Sequence, residues 1–176
     1  MRLQEFYGYA TEREQIRLRK EAGQLFPWTE DQILRDWKFT NVRRENDRTS
    51  RAFIKNDYAP HRNDDMETIL LNCAIRRYFG TEEFAAVIGW LPFHNFDWEH
   101  LELVARLERD VGHKVFTGAY VITNGGVSAP KEWVVAKYYI NELWKQIPKI
   151  VDIANETQSW QKVADAMRKI DGFGGS

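Results

Sequence analysis

The chain has 176 residues, enough for one ordinary domain with a real hydrophobic core. Its 43% hydrophobic and 14% aromatic content, with seven Trp and ten Phe, excludes a disordered polypeptide. A net charge of -1 excludes a general nucleic-acid coat, whose affinity comes from many phosphate contacts, but it admits a localised cationic patch.

No apolar segment follows Met1, and no run approaches the roughly 20 apolar residues of a membrane span, so the reading places the protein in the cytoplasm without a membrane partner. Periodicity near 3.6 residues dominates, and no alternating stretch is long enough for a sheet. The expected fold class is all-α, a single helical domain over residues 1–176, with helices at Gln4 to Ala22, Thr29 to Phe39, Val42 to Lys55, Asp64 to Phe79, Glu82 to Trp90, Asp97 to Val111, Pro130 to Gln146 and Gln158 to Ile170.

The second helix is expected to start at Thr29 or Glu30, with Thr29 and Gln32 forming a capping box and Pro27 blocking helix before it. Ile33, Leu34 and Trp37 share one face, read as core, while Arg35 and Lys38 lie toward another. After a break near Thr40 and Asn41, Arg44, Arg48, Arg51 and Lys55 recur every three or four residues as one cationic stripe, interrupted by Glu45 and Asp47. A stripe of this kind suits a polyanion. The competing reading is a solvated face with local ion pairs, Arg43 with Asp47 and Asp47 with Arg51. Basic residues dominate from Arg35 to Arg62, and acidic ones from Asp64 to Asp110.

Asp64 and Asp65 suit a helix start. Cys73, the lone cysteine, lies in the apolar run from Ile69 to Ile75 and reads as a packed small side chain; no internal disulfide is available to it. Gly80 and Thr81 separate two helices as a stop and a cap, and Leu91 to Asn95 is an aromatic turn. His61, His94, His100 and His113 show no zinc-protease spacing, so no metal site is expected, although His94 and His100 bracket Asp97 and Glu99.

Val115 to Val127 is β-branched and glycine-rich and reads as a structured loop. Its Asn-Gly-Gly is a turn former, with phosphate cradling by exposed amides as the functional alternative. It matches neither a P-loop nor a dinucleotide fingerprint, and no nucleophile elbow occurs anywhere. The helix from Pro130 carries apolar or aromatic groups on more than one face and is the expected central core helix; adjacent Tyr138 and Tyr139 must point apart. Trp160, Val163, Ala164 and Met167 form a last apolar stripe. It ends in Asp171-Gly172-Phe173-Gly174-Gly175-Ser176, a glycine hairpin that could bring backbone amides to a DNA phosphate or serve as a plain tail.

Phe26-Pro27-Trp28-Thr29-Glu30-Asp31-Gln32-Ile33-Leu34, the segment from Lys38 to Arg48, Thr117 to Ile122, and Asp171-Gly172-Phe173-Gly174 together resemble the alpha-glutamyl/putrescinyl thymine pyrophosphorylases, including the helical domain joined to 5-hydroxymethyldeoxyuridine DNA kinases. The likeness runs from about Leu25 to the last residue. It implies a DNA-glycosylase-like helical fold with a C-terminal glycine hairpin. The implied role lies in phage pathways that hypermodify thymine in DNA, where an amine displaces (pyro)phosphate from phosphorylated 5-hydroxymethyluracil. Similar proteins continue past the hairpin into further helices, so the chain is expected to be a fragment or a shortened member.

That chemistry needs fixed cations for the leaving oxygens, for which Lys38, Arg44 and Arg48 are the candidates. Glu45 or Asp47 would take the amine's proton, and Asn41 would orient the base edge. Base flipping would use Trp28, Trp37 or Tyr120 for stacking, with Arg51 assisting and Lys55, Gly172 and Gly174 contacting DNA. The expected partners are DNA with modified thymine, an amine or amino-acid co-substrate, and a DNA base kinase. No cofactor is required, and a pyrophosphate leaving group would admit Mg2+. The alternative class is a noncatalytic DNA-binding helical module that accompanies a base-modifying kinase.

Overall fold

A computed structural model describes residues 3–37, 39, 41–117 and 122–173, apart from the side chain of Arg44. Among them the structure is all-helical, with no strand, as the periodicity requires. No helix among the described residues is long and apolar enough to cross a membrane. The chain divides into two compact units, Met1–Ala52 and Phe53–Ser176.

The first unit contains α1 (Leu3–Glu21), α2 (Gln32–Asp36), a 3-10 turn at Arg44–Asn46 and α3 (Arg48–Ala52). Two expectations fail here. The helix expected from Thr29 to Phe39 shortens to α2, because Asp31 rather than Thr29 is its cap: the Asp31 carboxylate accepts from the Leu34 amide at 3.0 Å, while the Thr29 hydroxyl accepts from the Asp31 amide at 3.1 Å. The helix expected from Val42 to Lys55 is replaced by the 3-10 turn and by α3, which is followed directly by a π-helical segment, Phe53–Tyr58. In a piece as short as α2 only one side can face inward, so Leu34 is buried while Ile33 and Trp37 remain 65% and 69% exposed, against their expected core role.

The second unit carries the main core. It holds α4 (Met66–Tyr78), α5 (Glu82–Ile88), α6 (Trp98–Asp110), α7 (Lys131–Val134) running through a π-helical turn at Val135–Ile140 into α8 (Asn141–Thr157), and α9 (Trp160–Met167). Local caps start several of these helices: Asp65 on the Thr68 amide, Thr81 on Phe84, Asp97 on Glu99 and Ser159 on Lys162. The break expected after Gln146 is absent. Helix α8 passes through Pro148 because Leu143, Ile147, Ile150 and Val151 bury one continuous face, and burying four such side chains at about 1.5–3 kcal/mol each outweighs an interior proline at about 3.

Leu71, Phe79, Phe84, Leu101, Ile140 and Ile147 are fully buried in this core. Cys73 belongs with the packed side chains, and burial pushes its thiol up to about 11. Trp160, expected in the apolar stripe of α9, is instead 79% exposed at the first position of that helix. Two buried polar groups set the loop after α5: the Asn72 amide donates to the carbonyls of Thr68 and Leu91 at 2.8 Å and accepts from the Leu91 amide at 2.9 Å, and the Thr68 hydroxyl accepts from the Phe93 amide at 3.0 Å.

Candidate functional site

In the first unit the segment after α1 folds back along that helix. Arg19 donates to the Trp28 carbonyl and pairs with Glu12 at 3.0 Å, while the Trp28 indole N–H donates to the Gln24 carbonyl at 2.7 Å. Phe26 meets Trp28 edge-on at 5.2 Å. Further along, Arg13 donates to the Phe39 carbonyl at 2.6 Å and lies 5.2 Å over the Phe39 ring, which packs edge-on against Tyr9. Between these anchors opens a hollow of about 590 Å³, within the size range of small-ligand pockets, into which Phe26, Trp28, Trp37, Phe39 and Asn41 contribute. Its cations are Arg13, Arg17, Lys20 and Arg35, and its carboxylates are Glu21 and Asp36.

Those charges are not equivalent. Arg17 binds Glu14 and Glu21 at 2.6 Å each, and Glu21 binds Arg51 at 2.6 Å. The Arg17 guanidinium holds both carboxyls below the usual range, and they in turn raise its own pKa. Lys20 lies 4.4 Å over the Trp28 indole. The Asn41 amide nitrogen donates to the Asn46 carbonyl at 2.9 Å and to Asp47 Oδ1 at 3.2 Å, so it closes the turn after it. Its carbonyl oxygen, which no donor meets among the described residues, remains the acceptor edge. Flat rings, one amide acceptor and cations in one hollow suit a planar heterocycle with an attached anion.

Over residues 1–175 the sequence matches the family described as 5-hmdU DNA kinase, helical domain. The chain belongs to this family. One relative within reach of this helical domain is the 5-hmdU DNA kinase of Bacillus phage SP10, 33% identical over 107 residues, which is 58% of this chain and 17% of that protein. The match thus spans less than a fifth of the length of the curated relative. No solved structure matches the chain.

Of the residues the sequence singled out in this helical domain, Trp28, Trp37 and Asn41 come together in the hollow, and Arg51 reaches its rim through Glu21. Asp47 lies one hydrogen bond behind Asn41. Glu45 and Arg48 are exposed and do not line the hollow, and Lys55 is an exposed residue of the second unit. Lys38, Tyr120 and Gly174 lie outside the described residues, as does the Arg44 side chain. Arg51 pairs with Glu21 at 2.6 Å, a partner thirty positions away that local spacing does not reveal.

Sequence reasoning missed the cations of α1. Arg13, Arg17 and Lys20 recur at spacings of four and three, the same rule that singled out the stripe from Arg44 to Lys55. Applied to the first helix, it would have found them. The glycine turn of the second unit has its own geometry. Gly172 adopts φ +83, its carbonyl accepts from the Tyr78 hydroxyl, and the Phe173 ring packs edge-on against Tyr78 at 5.4 Å. Beside it, α8 and α9 border a hollow of about 400 Å³ with Gln146, Lys149, Lys169 and Asp171 at its edge. The described residues contain no group of three or more His, Cys, Asp or Glu side chains that could hold a metal ion.

Proposed function

We propose that this helical domain recognises a modified thymine of DNA, 5-hydroxymethyluracil or its phosphorylated form, in phage-type thymine hypermodification, and that the hollow of the first unit receives the base. The observation that carries the reading is the convergence of Trp28, Trp37 and Asn41 in one cation-lined hollow of a chain that matches a kinase helical domain from end to end. Extruding a base costs a few kcal/mol, which stacking on indole at about 1–3 kcal/mol per base offsets. With its N–H groups committed to the turn, Asn41 offers an oxygen, which suits the N3–H of a uracil ring and not the bare N3 of cytosine. Independently of that hollow, Gly172, Gly174 and Lys55 of the second unit would contact DNA phosphates, a role supported by Lys149 and Lys169, which line a hollow with Asp171. A DNA-glycosylase-like arrangement of the helices is part of the same proposal, as is partnership with a DNA base kinase.

A second reading keeps the transferase, and the contact between Asp47 and Asn41 at the edge of the hollow favours it. In that step the bond between the exocyclic methylene carbon and the phosphate oxygen breaks as a carbon–nitrogen bond to the amine forms. The amine's proton passes to Asp47 or Glu45, and the departing (pyro)phosphate is met by Lys38, Arg44 and Arg48. Mg2+ would serve only a pyrophosphate leaving group.

Fluorescence anisotropy on single-stranded DNA with one 5-hydroxymethyldeoxyuridine tests the first reading. Asn41→Ala is expected to lower the preference over a matched cytosine strand by about tenfold, the worth of one good base-edge contact. Equal affinity of the wild-type protein for both strands would exclude base recognition. Incubation with phosphorylated DNA and candidate amines, followed by nucleoside mass spectrometry, separates the readings, since only a transferase releases an aminated thymine.

A further inference from the structure

The hollow holds four cations, and their partners divide them into two classes. Arg17 is balanced by Glu14 and Glu21, and Arg13 is engaged by the Phe39 carbonyl and ring. Lys20 of α1 and Arg35 of α2 line the same hollow without a carboxylate partner among the described residues. Of the two carboxylates there, Glu21 is satisfied by Arg17 and Arg51, which leaves Asp36 as the one opposing charge.

We infer that Lys20 and Arg35 are the phosphate-reading pair of this domain, distinguishing a base that carries a phosphomonoester from one that carries only the hydroxymethyl group. The inference rests on the proposed base-recognition reading and adds to it residues that the stripe from Arg44 to Lys55 does not contain. The Lys20 ammonium rests on the Trp28 indole at 4.4 Å. Exchanging that face for a phosphate oxygen replaces a weak cation–π contact with a charge-assisted hydrogen bond, and the freed indole becomes a stacking surface for the base. The flexible four-carbon stem of lysine permits the move, and the planar guanidinium of Arg35 can grip two phosphate oxygens at once. A neutral hydroxymethyl group rewards neither.

The test compares binding to three single strands that differ at one position: deoxythymidine, 5-hydroxymethyldeoxyuridine and its phosphomonoester. Wild-type protein is expected to bind the phosphomonoester at least about tenfold tighter than the hydroxymethyl strand, as expected when a dianion gains charged contacts. Lys20→Gln and Arg35→Gln should each lose most of that preference, read in each variant as the ratio of its affinities for the two strands. Lys20→Arg should keep it, and Asp36→Asn should enlarge it. Circular dichroism and the thermal midpoint confirm that each variant is folded. A preference unchanged in both glutamine variants overturns the inference while leaving base recognition standing. Wild-type protein that treats all three strands alike overturns both.

Discussion

At the scale of single residues, charge and capping give a signed pH dependence. The backbone amide of Thr68, at 2.8 Å from its carboxylate, holds the Asp65 carboxyl below the usual range. A carboxyl lowered in the folded protein adds stability above its unfolded value near 3.9, and that stability is lost as pH falls through the lower folded value. Asp65→Ala is therefore expected to cost about 1 kcal/mol at neutral pH by denaturant unfolding, the usual worth of an N-cap. The difference between wild type and variant should shrink as the solution is acidified below pH 4. A gap that stays constant down to pH 2 would mean that the side chain acts by packing and not as an ionised cap.

At the scale of elements, the glycine turn shows how a motif can be legible while its support is not. Dipeptide chemistry predicts a turn at Asp171-Gly172, and the φ of +83 at Gly172 agrees. What holds it is distant in sequence: a Cβ on Gly172 would lie 2.5 Å from Tyr139 Cγ and 2.8 Å from the Tyr78 hydroxyl. The Tyr139 hydroxyl donates at 2.8 Å to the Thr123 carbonyl, so one tyrosine touches both glycine-containing turns, while its neighbour Tyr138 is 38% exposed. Gly172→Ala should thus cost about 1–3 kcal/mol through both backbone and contact strain. A thermal midpoint unchanged in that variant would show that the turn is not packed on Tyr139. The same contrast runs through the helices. Starts at Asp65, Thr81, Asp97 and Ser159 follow from short-range cap chemistry and are readable. The continuity of α8 through Pro148 and the fragmentation between Gln32 and Tyr58 depend on how much face each segment buries, which periodicity alone does not measure. For the candidate site, Trp28, Trp37 and Asn41 are named through the chemistry that the family resemblance implies, although periodicity alone reads Trp37 as core. The spacing of Lys20 on α1 is legible, but the roles of Lys20 and Arg35 and the partner of Arg51 are not, because they come from charges paired or left unpaired across α1 and the segments after it.

At the scale of the molecule, a net charge of -1 with four cations lining one hollow accords with the proposal that the domain reads a few groups rather than coats a polymer. The proposed ligand of that hollow, a uracil ring bearing a one-carbon substituent, accords with membership in the helical-domain family of 5-hmdU DNA kinase. The central claim is that a modified thymine stacks on Trp28 and Trp37. The most direct measurement is the affinity of wild type and of Trp28→Ala, Trp37→Ala and the double variant for strands with and without one phosphorylated 5-hydroxymethyldeoxyuridine. The account predicts that wild type prefers the modified strand and that the double variant loses this preference by about tenfold or more, from the loss of indole stacking, with its fold intact. Selectivity that survives in the double variant would contradict it.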